Sequence, residues 1–435
     1  MTNAQNVSPG SLPISHKIPL SHYIALGGGV CLEWYDWTIY GLMAALFGGH
    51  FFPSSNPVTS TLAVLAVFAA ATFVRPISGA IFGPVADRIG HKKVLIASVG
   101  LMAGCSLVIG IMPTYEQIGV WAAVIMIAVR LLQGVSTGIE QPVANAAGLE
   151  LAPPGRRAFF GSVVSGSFNQ GGNLLAALVA FAASFILGRQ AMMDWGWRVP
   201  FILGGVAGFI VFYIRRSMPD TGASIAGAKA PESTGKVWHA LGVHWLGFLA
   251  IITMVGATQI VNYAWLVGLP NLANSVYKEV PSQVFAVTTL LGVLLVVAGP
   301  ISGWLADRYG PSRIYLTLRT IQIPAWLLIL AYSGPGIGTL AAVTFFGGAI
   351  LALNQVLFNY LTGTLMPPEC RTTGIAVGYG IGVSVFGGTA SYLLIWFQQQ
   401  QALWLFVAYG MVMAAISVLV YWWAMRRGEV HADAQ

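Results

Sequence analysis

A chain of 435 residues that is 56% hydrophobic and only 8% charged falls far outside ordinary soluble proteins, in which about a quarter of the residues are charged. Its apolar runs repeatedly exceed the roughly 18–20 residues that a helix needs to cross a bilayer, which argues against a soluble enzyme and against a receptor with a large output domain. The formal net charge of +7 raises nucleic acid as a partner, but the placement of the basic residues gives that charge another meaning.

Open strands would leave amides unpaired in lipid, so the apolar runs read as helices and the fold class as all-α integral membrane. The stretch 1–21 is polar and rich in Pro and Ser. It lacks the basic segment, short apolar core and small-residue cleavage site of a signal peptide, and it reads as a cytoplasmic tail. Spans are predicted near 22–51, 58–82, 92–112, 118–150, 158–187, 197–216, 240–272, 282–306, 313–332, 337–366, 371–397 and 401–425. A polar Gly/Ala/Ser-rich linker at 217–239 divides a first bundle, 22–216, from a second, 240–425, and 426–435 forms a C-terminal tail. Loops on one side carry Lys17, Arg88, Lys92, Lys93, Arg156, Arg157, Arg215, Arg216, Lys229, Lys236, Arg308, Arg313, Arg371, Arg426 and Arg427, while the other side carries only Arg189 and Lys278. By the positive-inside rule the rich side is cytoplasmic, with both termini inside. The basic balance is therefore a topology signal, and no nucleic-acid partner is expected. Cys31, Cys105 and Cys370 have no metal or redox spacing and read as small packing residues.

Charges within the spans come next, because an ionised group at a helix centre costs about 2.5–3.5 kcal/mol on insertion scales and marks function or a partner. In the first span, "CLEWYDWTIYG" (31–41) places Glu33, Asp36, Trp37 and Tyr40 on one helical face. In the second, Arg75 lies about 18 Å along the helix from Asp87 at about 1.5 Å per residue. Arg130 of the fourth span reaches a similar depth, so Asp36, Arg75 and Arg130 converge near the midplane. Arg75 is the best substrate ligand, since it is always charged and its planar fork matches a carboxylate; the alternative is an ion pair with Asp36 or Glu33. Asp36 is the favoured proton carrier and Glu33 the second, because protonation of such an acid responds to the approach or withdrawal of an arginine. Glu140 lies about 15 Å further toward the cytoplasm and is expected to pair with Arg88 or Lys92. Arg198 follows the loop acid Asp194 near the outer end of the sixth span; substrate contact and pairing with Asp194 both stay open for it. Asn169 and Gln170 in "SFNQGGN", Asn262 and Tyr263 on the seventh span, Asn354 on the tenth and Tyr379 on the eleventh either line the site or pack between helices. Arg319 is the one comparable charge of the second bundle and is expected near the cytoplasmic membrane surface. The arginine content near the midplane favours an anionic substrate.

An internal repeat organises the chain. "GPVADRIGHKKVL" (83–95) and "GWLADRYGPSRIY" (303–315) share G-x-x-A-D-R-x-G and stand six spans apart. Glycines permit the tight turn, and an acid there suits a neighbouring helix N-terminus. Contacts of this kind, broken and remade between two states, form a latch. Its expected members are Gly83, Asp87, Arg88, Gly90, Lys92, Lys93 and Glu140, with Gly303, Asp307, Arg308 and Gly310 from the second copy. Parallel six-helix halves with a site between them at the midplane build one large class of transporter.

On these residues the chain resembles the major facilitator superfamily, whose signature loop is similar to G-x-L-A-D-R-x-G-R-K-x-x-L. His91 stands where that loop has Arg, and Pro311 and Ser312 occupy the basic positions of the second copy. "RLLQG" (130–134) resembles the superfamily's fourth-helix motif, which implies a coupling or structural role for Arg130. "EWYDWTIYG" (33–41), "FVRPISGAIFG" (73–83), "WGWRVPF" (195–201) and "VFGG" (385–388) resemble the metabolite:proton symporter branch, which includes permeases for α-ketoglutarate, citrate, shikimate and zwitterionic osmolytes. In the α-ketoglutarate permease group the arginine matching Arg198 is implicated in transport. The resemblance implies twelve transmembrane helices in two pseudo-symmetric six-helix bundles, working by alternating access. It implies proton-coupled uptake of a small organic acid, a di- or tricarboxylate by preference, with a zwitterionic osmolyte or an aromatic or hydroxy acid as the rival. No phosphate-binding Gly loop with its Lys-Ser/Thr appears, so no cofactor or metal is expected, and the proton gradient is the energy source. The expected partners are the organic acid, the proton and the lipid bilayer, with the protein acting as a monomer in the cytoplasmic membrane.

Overall fold

The computed structural model describes residues 20–89, 91–150, 168–216, 234–332, 334–367 and 370–430. Most of the two expected tails and the linker stretch 217–233 lie outside the described residues. Among the described residues twelve long helices follow one another: α1 (Leu20–Phe51), α2 (Pro57–Ile89), α3 (His91–Ile111), α4 (Val120–Glu150), α5 (Phe168–Ala191) and α6 (Arg198–Arg216), then α7 (Trp245–Val276), α8 (Pro281–Tyr309), α9 (Pro311–Ala331), α10 (Ile337–Thr362), α11 (Thr373–Gln399) and α12 (Leu403–Arg426). Eleven of them are long and apolar enough to cross a membrane by length and composition, and α1, which carries the two acids, is the twelfth. A backbone of this kind meets its own hydrogen-bonding needs, as hydrocarbon requires.

Within the first six helices α3 packs on α6, α1 on α5 and α2 on α4. Within the last six, α8 packs on α10, and α7 on α11 and α12. Helices α5 against α8 and α2 against α11 join the two sets. Small residues permit the closest approaches. A Cβ at Gly138 of α4 would collide with the Arg75 carbonyl of α2, and one at Gly134 with the carbonyl of Ala71. Without those glycines α4 would stand off from α2 at the level of its intramembrane arginine.

The second helix runs on to Ile89, past the expected end near 82, and the expected start of the fifth span at 158 lies outside the described residues. Thr234–Val243, just before α7, is helical and buries Leu241 against the core. The seventh span carries π-helical turns at Ala264–Gly268 and Leu272–Val276, and the eleventh one at Gly382–Gly387. Gly188 breaks α5 near its end with φ +77°.

At the end of the molecule that carries the α1–α2 loop, the two sets of helices are tied together. Asn271 of α7 is fully buried. Its Nδ2 donates to the Gly41 carbonyl of α1 at 2.7 Å, and its Oδ1 accepts from the Ala45 amide at 2.9 Å. The amide thus spans one turn of α1, while Gly41 packs against the Val267 side chain. At the same end Arg189 donates to the Lys278 carbonyl at 3.3 Å.

Candidate functional site

The site is built outward from α1, whose i, i+3, i+4, i+7 spacing turns Glu33, Asp36, Trp37 and Tyr40 to one side. All four are buried among helices. Trp37 meets two guanidiniums: Arg75 sits 4.0 Å from its ring centroid and Arg130 4.5 Å from it. Arg130 also covers Tyr40 at 3.9 Å. The negative faces of these rings suit cations that have left water.

The four charges then divide into two pairs. Arg130 Nη1 donates to Asp36 Oδ2 at 3.3 Å and to Gln133 Oε1 at 2.6 Å. Gln133 Nε2 donates to the same carboxylate oxygen at 2.7 Å, and Ser106 donates to the other. Three helices, α1, α3 and α4, therefore meet at the Asp36 carboxylate. Arg75 of α2 instead approaches Glu33, with Nη2 3.6 Å from Oε1, beyond ordinary hydrogen-bond length. Of the two partners expected for Arg75, Glu33 is the one it meets, while Asp36 is held by Arg130.

The second set of helices completes the surroundings of Arg75. Tyr263 of α7 lies within electrostatic range of Arg75, Glu33 and Arg130, and Tyr379 of α11 within range of Arg75, Glu33 and Tyr263. Tyr263 packs on Phe68 of α2 and Tyr379 on Phe358. Asn262 donates to Gln259 at 3.3 Å. On the α5 side Asn173 joins Gln170 and Thr38 through hydrogen bonds of 2.6 and 2.5 Å. Among the described residues, the buried polar atoms with no hydrogen-bond partner include Arg75 Nε, Arg130 Nε and Nη2, Trp37 Nε1, Tyr263 OH, Tyr379 OH, Asn262 Oδ1, Asn169 Oδ1 and both amide atoms of Asn354. Each such atom costs about 1–3 kcal/mol if left unsatisfied. Those of Arg75, Trp37, Tyr263 and Tyr379 belong to side chains grouped around the Arg75–Glu33 pair.

Other expected residues fall elsewhere. Arg198 is not drawn to Asp194. Its Nη1 donates to the carbonyls of Gly110 and Met112 at 3.1 and 2.7 Å, and it stacks on Trp197 at 4.5 Å. The physical reason is the end of α3, whose last carbonyls lack helical partners and attract a cation. Asp194 accepts from Gln190 at 3.0 Å. Arg319 is fully buried. It donates to Gln322 at 3.0 Å, and to Thr258 Oγ1 and the Met254 carbonyl of α7 at 2.5 and 3.4 Å. In the repeated loop Gly310 adopts φ +91° between α8 and α9, a conformation that favours glycine. Gly303 is buried, Asp307 and Arg308 are exposed, and Lys93 is exposed at the start of α3. Arg308 lies beside the rings of Trp304 and Tyr309. Gly90 and the side chains of Asp87, Arg88, Lys92 and Glu140 lie outside the described residues, as do the surroundings of Gly83. Ser106 and Gln133 are the members of the site that sequence reasoning missed; Gln133 stands one turn after Arg130, the spacing that would have found it.

A family model described as Major Facilitator Superfamily matches residues 26–377. The citrate-proton symporter of Klebsiella pneumoniae is 31% identical, over 83% of this chain and 81% of that protein. The alpha-ketoglutarate permease of Escherichia coli K12 is 29% identical, over 93% of this chain and 94% of its own. The glycine betaine/proline/ectoine/pipecolic acid transporter OusA of Dickeya dadantii is also 29% identical, over 90% of this chain and 80% of its own. Among solved structures, the crystal structure of a D-xylose-proton symporter superposes with a TM-score of 0.73 at 16% identity, covering 93% of this chain and 97% of the other; that likeness concerns the fold.

Proposed function

We propose, from the premise that the chain belongs to the Major Facilitator Superfamily, that it is a proton-coupled symporter importing a small organic acid anion across the cytoplasmic membrane. Relatives named as citrate-proton symporter and alpha-ketoglutarate permease support the class, while one named for betaine and proline keeps the zwitterion rival in view. The observation that carries the reading is the state of Arg75. It is held by one loose ion pair to Glu33, at 3.6 Å, where unpartnered polar atoms of both helix sets gather.

An incoming carboxylate takes the planar fork of Arg75. Glu33 then shares its Arg75 counter-charge with the substrate in a medium where an ionised carboxylate is costly, and it takes up a proton. When the site opens on the other side, loss of the proton returns Glu33 to Arg75 and expels the substrate. Asp36, the acid favoured from sequence, is less suited to this exchange, because Ser106, Gln133 and Arg130 must all release it together. Its network ties α1, α3 and α4 into one body that moves as a unit. Uptake of labelled carboxylates into proteoliposomes with an imposed inward proton gradient tests the reading. Accumulation that collapses with the gradient is expected, and an uptake indifferent to the gradient for every acid would refute it.

A further inference from the structure

We propose that one rim of the second bundle binds the headgroup of an anionic phospholipid. The rim is formed by the end of α8, the start of α9, the end of α12 and the start of α7, on the side that the positive-inside rule makes cytoplasmic. This binding is independent of the transported substrate.

The four helix ends form one continuous surface. Helix α8 passes into α9 through the single residue Gly310. Ser312 and Tyr421 share a hydrogen bond of 2.8 Å between their hydroxyls, and the rings of Tyr315 and Tyr421 lie 4.8 Å apart. Those contacts pin the start of α9 to the end of α12. Trp423 of α12 meets Trp245 of α7 edge-on at 5.6 Å. Just past α12, Glu429 accepts from the Gly247 amide of α7 at 2.6 Å.

Four exposed arginines stand on this rim: Arg308, Arg313, Arg426 and Arg427. Three of them lie over rings. Arg308 is 5.6 Å from the centroids of both Trp304 and Tyr309, Arg426 is 3.9 Å from Trp422, and Arg427 is 5.0 Å from Trp423. Among the described residues no acid lies within ion-pair distance of any of the four. The arginines inside the spans differ: Arg75 and Arg130 meet carboxylates, and Arg198 and Arg319 hold protein oxygens. The same stretches carry two acids, Asp307 and Glu429, and Glu429 already serves the Gly247 amide. Positive charge is therefore in excess here, and it faces outward.

The chemistry of the rim selects the partner. A guanidinium lying over a ring keeps its in-plane N–H groups for a two-point contact with phosphate oxygens. The rings of Trp245, Trp304, Tyr309, Trp422 and Trp423 are exposed at helix ends, the level at which headgroups meet acyl chains. A soluble anion has no use for those rings. A phospholipid gives its phosphate to the arginines and its glycerol and upper acyl chain to the rings. A zwitterionic headgroup also brings a cation toward the arginines, so a headgroup of net negative charge is preferred.

Purified protein in a neutral detergent, stripped of bound lipid, tests the proposal. The probes are phosphatidylglycerol, phosphatidylcholine with the same acyl chains, and inorganic phosphate. Native mass spectrometry counts bound lipid, and the melting temperature reports its effect. Phosphatidylglycerol adducts should persist in an excess of phosphatidylcholine and raise the melting temperature, and inorganic phosphate should not reproduce that rise. Arg426→Gln with Arg427→Gln should weaken phosphatidylglycerol binding about tenfold or more, as the loss of two basic residues beside an anionic headgroup requires. Lys93→Gln with Arg216→Gln removes the same charge from exposed positions of the first bundle and should leave the binding unchanged. Equal affinity for the two lipids overturns the proposal, and so does an equal shift with inorganic phosphate. An equal loss in both double variants also overturns it, because the attraction would then belong to net charge rather than to this rim. If the rim variant does not fold, competition between the two lipids on the wild-type protein decides alone.

Discussion

Trp37 meets both Arg75 and Arg130, and each arginine keeps its own acid. The two pairs differ in what their disruption should do. Arg75→Lys keeps the charge but loses the fork, so KM for uptake should rise about tenfold or more, equivalent to roughly 1.4 kcal/mol or more, with kcat less affected; initial-rate kinetics in proteoliposomes measure both. Asp36→Asn instead leaves Arg130 fully buried without its counter-charge, a loss of about 3–5 kcal/mol. It should appear as a large fall in melting temperature. The double variant Asp36→Asn with Arg130→Met should recover much of that loss, since no charge is then stranded. At this scale the sequence was partly legible. Glu33, Asp36, Arg75 and Arg130 stand out because charge in an apolar run is rare. How they pair was not legible, because Arg75 and Arg130 reach α1 at similar depth and only the rotation of α2 and α4 decides between the acids. Ser106 is invisible for a different reason: a serine in a span ordinarily bonds its own helix.

Two devices at the scale of helices place those residues. Gly134 and Gly138 bring α4 against the backbone of α2 beside Arg75. Gly138→Leu should push the helices apart, cost about 1–3 kcal/mol of stability as overpacking does, and abolish uptake even in protein that still melts cooperatively. Asn271 ties α7 to one turn of α1 through Gly41 and Ala45. Asn271→Ala removes those bonds. A cysteine introduced by Ala45→Cys should then react faster with a soluble maleimide than in the Asn271 background, and an unchanged labelling rate would deny the tie any gating role. Helix existence and order were readable from hydropathy, because length and apolarity suffice for them. The π-helical turns of α7 and α11 were not, since they depend on neighbours rather than on local composition. Nor was Asn271, one asparagine among several on the same span.

For the whole molecule, the six-span offset of the two G-x-x-A-D-R-x-G loops foretold an architecture in two halves, and the solved structures that superpose on the chain share that fold. What the repeat does not convey is how unequal the halves have become. In the first, an arginine and the glutamine one turn later reach a carboxylate on the opening helix: Arg130, Gln133 and Asp36. In the second, Arg319 and Gln322 reach a hydroxyl on Thr258 of α7. Among the described residues no acid lies within ion-pair distance of Arg319. That arginine therefore leaves a fixed positive charge within the span region even when both ion pairs are closed. An electric field does work on any such charge that changes depth, up to about 2.3 kcal/mol per 100 mV for a full crossing. Rocking of the empty carrier should thus produce a small transient current on a solid-supported membrane, reduced in Arg319→Gln. The resting voltage of a cell would then bias which way the unloaded carrier faces, and so set how long it waits for its next passenger.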